Sequence, residues 1–466
     1  MKLLPRPLVL AAIVGCLVVA YPAAAWYTGT RIEARMTELS LLTAQYPNLK
    51  VVKHEFKRGV FTSTENTIIE FPSALFNKPA VNQDPNVPAP VVPPVQLHFI
   101  NHITHGPIPG LRFGSASIDT ELVLDDNMKA AAEKVFGQQA PLKILTKLNY
   151  FGGGSVLLSS PPISTVTEQT QDKIEWKGVK LDVGFSGDYK NLSFKLDAPG
   201  LIGHMHDGSN MTLGEISANG TMQQVAPGSF LYLGKSSATL DQLKVSSTAM
   251  PAKSFDLEKL EFDSDLSSKA DLIDMVVKIG AKKLVTSKME FSDFHYDYGI
   301  RHIDQATLVK LMDAIYHPPQ DQVGVAPLQN VLGPWQEFGP QLLQNKPEFS
   351  IDRLSVSTPE GEAKLTAHAS MGDATIDDLK SVALMMPKLQ ASATISVPEP
   401  MLAKFALSNA TDPNTQAAMQ QGLKQQIAAL EQQGYVTRKD QTLSANIDWK
   451  SGQVMVNGKP MPGVAH

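Results

Sequence analysis

Glu362-Ala-Lys-Leu-Thr-Ala-His-Ala-Ser-Met371 alternates without a break. Ala363, Leu365, Ala367, Ala369 and Met371 fall on one side, and Glu362, Lys364, Thr366, His368 and Ser370 on the other. Successive side chains of an extended chain point to opposite faces, so a period of two predicts a strand with one dry face and one wet one. One-sided burial favours antiparallel sheet. The pattern recurs at Leu389 to Val397 and at Leu443 to Trp449, and further candidate strands lie at 181–185, 192–196, 211–222, 240–246, 257–266 and 289–298. The fold class that follows is mainly β with α (α+β), a large antiparallel sheet with a few packed helices.

Leu240-Asp-Gln-Leu-Lys-Val-Ser-Ser, Leu257-Glu-Lys-Leu-Glu-Phe-Asp-Ser and Ile351-Asp-Arg-Leu-Ser-Val-Ser-Thr share one apolar-polar pattern, with Leu213-Gly-Glu-Ile-Ser-Ala-Asn-Gly as a degraded copy. A curved or repeat-built sheet would leave such a trace. Chance likeness between alternating strands accounts for it equally well. Helices interrupt the strands. Asp412-Pro413 supplies an N-cap and a first-turn proline, Met419, Leu423, Ile427 and Leu430 form a stripe, and Gly434 is the stop. Asn127 to Phe136, Gln305 to Tyr316 and Asp377 to Met386 are the other helix candidates.

No charge lies between Arg6 and Arg31, and the run contains Leu8-Val-Leu-Ala-Ala-Ile-Val-Gly-Cys-Leu-Val-Val-Ala20 behind Lys2 and Arg6. This predicts an export signal retained as a membrane anchor through residues 8–27, with Trp26 and Tyr27 as interfacial aromatics. Two cleaved readings compete: a signal peptidase site at Ala23-Ala-Ala25 and lipidation at Cys16. Cys16 is the single cysteine. The remaining chain therefore holds no disulfide, thiolate metal site or cysteine nucleophile. Ile32, Met36 and Leu39 predict a stalk helix continuing from the anchor. The expected organisation is 1–30 signal or transmembrane anchor, 31–78 stalk helix and first strands, and 79–94 proline-rich insertion or linker. A β-rich body at 95–316, a proline-interrupted helical connector at 317–347, and C-terminal strands and helices at 348–466 follow.

The chain has 466 residues, 43% hydrophobic and 19% charged, with 41 basic against 46 acidic side chains. Its formal charge of -5 and the lack of a basic stripe exclude nucleic acid as an expected partner.

Several patches resemble the YdgA-like family of Gram-negative envelope proteins, whose activity is not established. They are Ala25-Trp-Tyr-Thr-Gly29 with Ile32-Glu33, Arg58-Gly-Val-Phe-Thr-Ser63, His105-Gly-Pro107, the Ile395-Ser-Val-Pro398 strand, Gly452, and Asn457-Gly458-Lys459. The motif residues so marked are Trp26, Tyr27, Gly29, Arg58, Gly59, Phe61, His105, Gly106, Pro107, Asn457 and Gly458. The resemblance implies an inner-membrane-anchored periplasmic protein and brings no catalytic residue.

Candidate chemistry is sparse. His98, His102 and His105 could bind zinc on a helix, but Gln96-Leu-His-Phe-Ile-Asn-His-Ile-Thr-His-Gly-Pro107 alternates like a strand, which separates them and leaves His105 a hydrogen-bonding role beside a turn. His204 and His206 lack a nearby third ligand. Arg58-Gly59 reads as a bulge, with the arginine free to pair with a carboxylate or a lipid phosphate. Gly152-Gly-Gly154-Ser155 lacks the lysine of a phosphate loop. Asp125-Asp126 and Asp377-Asp378 stand at helix starts, where capping explains them. Neither a catalytic residue nor a cofactor is expected. The expected function is a non-enzymatic, membrane-tethered periplasmic protein whose sheet binds envelope lipid or a protein partner, the small residues Ala363, Ala367, Ala369, Ala391 and Ala393 leaving room for an acyl chain. Its rivals are an envelope enzyme with a site assembled from distant residues, and a homo-oligomeric structural or assembly factor using the 413–433 helix.

Overall fold

The computed structural model describes residues 6–43, 49–71, 94–111, 113–167, 170–248, 250–316, 327–379, 381–408 and 412–461. The proline-rich segment expected at 79–94 falls outside them except for its last residue, as does 317–326 of the expected connector. The chain is mainly β, its strands pair antiparallel, and it divides into two compact units.

The first unit comprises residues 1–163, 178–196 and 316–326. One helix, α1 (Arg6–Thr43), precedes the strands β1 (Lys50–Arg58), β2 (Thr62–Phe71), β3 (Val95–His105), β4 (Ala116–Val123), β5 (Lys143–Leu148) and β6 (Gly154–Ser160). These pair in sequence order, and β6 then pairs with Val179–Phe185. The stalk helix expected from Ile32, Met36 and Leu39 is the C-terminal part of α1, and it packs on this sheet. Ile32, 4% exposed, clusters with Ile103 of β3 and Ala116 and Ile118 of β4, while Met36, Phe56 of β1 and Leu148 of β5 close round them. The isoleucine and methionine lie four apart on one helical face, and that stripe is long enough to need cover. Among the described residues no helix is long and apolar enough to cross a membrane. The side chains of residues 6–19, Cys16 among them, lie outside those described.

The second unit comprises residues 164–177, 197–315 and 327–466. Its centre is a run of long strands, Tyr232–Ser246, Phe255–Lys269, Leu272–Thr286, Glu290–Asp304, Glu348–Thr358, Gly361–Met371 and Leu389–Pro398, each paired antiparallel with the next, followed by Thr442–Lys450. Helices form at Gln305–Tyr316 and Pro413–Gln433, the latter capped by the Asp412 carboxylate accepting from the Thr415 N–H at 2.8 Å. The helix expected over 377–386 is two single turns, Ile376–Leu379 and Val382–Met385. In the repeat, Leu240 lies opposite Leu260 and Leu243 opposite Leu257. The first two copies thus run antiparallel, so the repeat marks how strands share faces and not a stacked module.

Candidate functional site

The motif residues of the N-terminal half converge where α1 meets the sheet of the first unit. His105, at the end of β3 and 1% exposed, sits between helix and strand. Its Nδ1 lies 2.9 Å from the Ala25 carbonyl oxygen and its Nε2 2.9 Å from Ser63 Oγ of β2. A carbonyl can only accept, so Nδ1 carries the proton and Nε2 of the neutral ring accepts from the Ser63 hydroxyl. Burial pushes the His105 pKa down, and the Arg58 guanidinium adds to that effect. Gly29 lies against the ring: a Cβ there would stand 2.5 Å from His105 Cε1.

Arg58 closes the neighbouring edge. Its guanidinium donates to Glu33 Oε2 at 2.6 Å and Thr30 Oγ1 at 3.2 Å, and lies 5.3 Å from the centre of the Trp26 ring. Glu33, then, is the carboxylate it pairs with. Gly59 turns the chain from β1 to β2, its N–H donating to the Thr62 carbonyl at 2.8 Å. Phe61 accepts at its carbonyl from the His105 N–H at 2.9 Å, and its ring stacks on Tyr21 of α1 at 5.9 Å. Gly106 abuts Ala25, and the Pro107 carbonyl accepts from the Tyr150 hydroxyl. Tyr27, 59% exposed, points away from this joint.

In the second unit, Asn457 and Gly458 both take positive φ, 48° and 77°, as a two-residue hairpin turn demands. The turn serves a helix as well as a hairpin. Asn457 Nδ2 donates to the Gly434 carbonyl at 3.2 Å, and Lys459 Nζ to the Gln433 carbonyl at 2.9 Å, so both occupy the C-terminal end of Pro413–Gln433 where carbonyls lack partners.

The histidines do not assemble a metal site. His98 pairs with Asn66 Oδ1 at 2.9 Å and His102 with Glu121 at 3.5 Å, while His105 faces the opposite side of β3. His204 pairs with Asn210 and His206 with Asp172. Among the described residues no three metal-ligating side chains come together. Sequence reasoning missed one buried polar chain. Glu65 of β2, 3% exposed, accepts from Asn101 Nδ2 at 2.5 Å and meets His54 Nε2 at 2.8 Å, and Thr120 Oγ1 donates to Asn101 Oδ1 at 2.5 Å. Its only signal was polar Ser63 and Glu65 sharing a face of β2, and both oxygens of the carboxylate are engaged.

The second unit separates its two sheet faces by character. One cross-strand row reads Ala238, Phe262, Ile279, Tyr296, Leu354, Leu365, Ile395 and Ala445, one residue from each of eight neighbouring strands. None of the eight is buried, and Phe262 is 37% exposed. The next row, on the other face, runs Asp263, Lys278, Asp297 and Arg353, with charges alternating in sign. Towards one end the apolar face continues through Ile300, Phe349 and Ala369. There Leu308, Leu311 and Trp335 of the helices Gln305–Tyr316 and Pro327–Gln344 flank it, forming a half-open cavity of about 340 Å³ whose lining is almost wholly apolar. A larger groove of about 720 Å³ in the first unit, between β4 and the helix Asp126–Phe136, mixes Asp119, Glu121, Lys129 and Glu133 with apolar residues. Its charges are of both signs and gather on no common point.

A family model described as a bacterial protein of unknown function, DUF945, matches residues 6–463. The chain belongs to the DUF945 family. Protein YdgA of Escherichia coli (strain K12) is similar to it, 21% identical over 491 residues that cover 98% of this chain and 95% of that protein. In this DUF945 chain, Trp26, Gly29, Arg58, Phe61, His105 and Gly106 build one helix–sheet joint, and Asn457 and Gly458 build a helix-capping hairpin. Neither arrangement presents an open acid, base or nucleophile. The strand alternation foreshadowed the apolar face of the second unit, and the motif residues did not.

Proposed function

We propose that this DUF945 protein is a non-enzymatic, inner-membrane-anchored component of the bacterial envelope, with its bulk in the periplasm, and that it binds the acyl chains of envelope lipid along the apolar face of its second unit. One observation carries the reading: an apolar row crosses eight strands without burial and leads to a cavity of about 340 Å³ that offers almost no polar partner. A site of that character rewards hydrocarbon and penalises polar ligands, whose hydrogen bonds with water would go unreplaced. Ala369, in the cavity wall, has a small side chain that leaves depth there. The uncharged run between Arg6 and Arg31, behind Lys2 and Arg6, supports the anchored, positive-inside orientation.

The test is photocrosslinking of the full chain in growing cells, with a benzophenone amino acid replacing Phe349 in the cavity or Thr366 on the polar face. Lipid adducts identified by mass spectrometry at position 349 and absent at 366 are expected, and Ala369→Trp should remove them. A chain that yields no lipid adduct at 349, or only protein adducts, does not carry lipid this way.

A further inference from the structure

We infer that one end of the first unit is a membrane-seating surface, its hairpin tips embedded in the interface of a phospholipid bilayer. The inference rests on the anchored reading of α1 and adds what that reading does not contain. In a sheet whose neighbours run antiparallel, alternate connections gather at one end. Here the turn between β1 and β2, the loop between β3 and β4, and the turn between β5 and β6 do so. Each presents large apolar side chains to solvent: Val60 and Phe61, then Ile108 and Phe113, then Tyr150 and Phe151. Phe113 is 92% exposed and Phe151 90%.

These tips are held in place. Tyr150 donates to the Pro107 carbonyl, Ser115 Oγ to the Asn149 carbonyl at 2.8 Å, and the Phe151 N–H to Asn149 Oδ1 at 2.8 Å. A fixed, clustered set of exposed aromatics on a soluble surface marks an interaction site, and phenylalanine, tyrosine and tryptophan are the side chains that favour a bilayer interface.

What identifies the occupant as a bilayer is where α1 leaves the sheet. Tyr21 stacks on Phe61 and donates to the Ile108 carbonyl at 3.2 Å, so the helix departs from this same end, towards the uncharged run. From Tyr21 onward the helix is bound to the body, which leaves residues 7–20 to occupy the membrane. At about 1.5 Å per residue they span about 21 Å, against about 30 Å for a hydrocarbon core. A body held clear of the membrane would leave hydrocarbon unspanned. Seating the tips to the roughly 5–10 Å depth reached by interfacial helices closes the difference.

The full chain carrying Cys16→Ser is reconstituted into vesicles of phosphatidylethanolamine and phosphatidylglycerol, with a polarity-sensitive fluorophore attached after Phe113→Cys or Phe151→Cys. Met128→Cys, in the helix beyond the far end of β4, gives the water reference. A label on native Cys16, in the otherwise unchanged chain, reports anchoring on its own. The expected result is a blue shift at 113 and 151 with quenching by lipid spin-labelled near its headgroup, water-like emission at 128, and quenching of the Cys16 label by lipid spin-labelled deep in the acyl chain. Water-like emission at 113 and 151 beside a deeply quenched Cys16 label would overturn the seating surface and leave anchoring standing. Failure of all three to be quenched would remove both. A blue shift without lipid quenching would mean protein contact at the tips and would also overturn it.

Discussion

His105 and Gly29 illustrate how little space one contact leaves. The imidazole is held from both sides, by Ala25 and Ser63, so it cannot retreat from a side chain at position 29 without losing a hydrogen bond. Gly29→Ala is therefore expected to weaken the joint by about 1–3 kcal/mol, the range for overpacking a filled site. Hydrogen exchange of amides 25–36 is the measurement, and unchanged protection would contradict the packing. The same ring makes the joint sensitive to pH. Burial first, and Arg58 facing it from β1, lower its pKa in the folded chain below the unfolded value of about 6.5. On acidification the unfolded chain takes the proton before the folded one does. The stability held by the neutral ring is thus present above about pH 6.5 and lost as pH falls through the lowered native value. Protection at 25–36, measured against the intrinsic exchange rate at each pH, should fall as pH drops below about 6.5, and His105→Gln should flatten that dependence; an equally steep profile in the variant would assign it to another group.

At the level of the element, the eight-strand row divides two kinds of stabilisation. The charged row alternates sign between directly opposed residues, so Lys278→Glu would place a like charge beside both Asp263 and Asp297. Roughly 0.2–1 kcal/mol per pair should be lost, read as a lower urea midpoint. The loss should shrink in 1 M salt, where the screening length is about 3 Å. Lipid capture at Phe349 should persist, because that residue lies on the other face; loss of both would mean the faces are not independent. The strands themselves were legible because alternation is local: Glu362 to Met371 states its faces without help from any neighbour. Pro413–Gln433 was equally legible, since Asp412, Pro413 and Gly434 each act within a turn of their own position. Asp377 to Met386 was not: Ser381 takes extended backbone, φ -120° and ψ 121°, and divides the stretch into two single turns.

For the molecule as a whole, what escaped the sequence was long-range. Ala25, Gly29, Ser63 and His105 are up to 80 positions apart, and each alone reads as an ordinary small, polar or turn residue. The Arg31 to Leu42 stripe looked like a stalk because nothing near it in sequence announces Ile103, Ala116 and Ile118. The cavity under Trp335 likewise depends on two helices meeting a sheet that begins a hundred residues earlier. The closed joint also bears on the fate of the N-terminus. A signal peptidase needs its substrate drawn out and accessible, whereas Ala25 is 0% exposed and hydrogen-bonded through its carbonyl to His105. With β3 docked, the Ala25 carbonyl is held by His105, while Ala23 stays exposed. A cut made earlier would strip away Tyr21 and Ala25, and with them the partners of Phe61, Ile108 and His105.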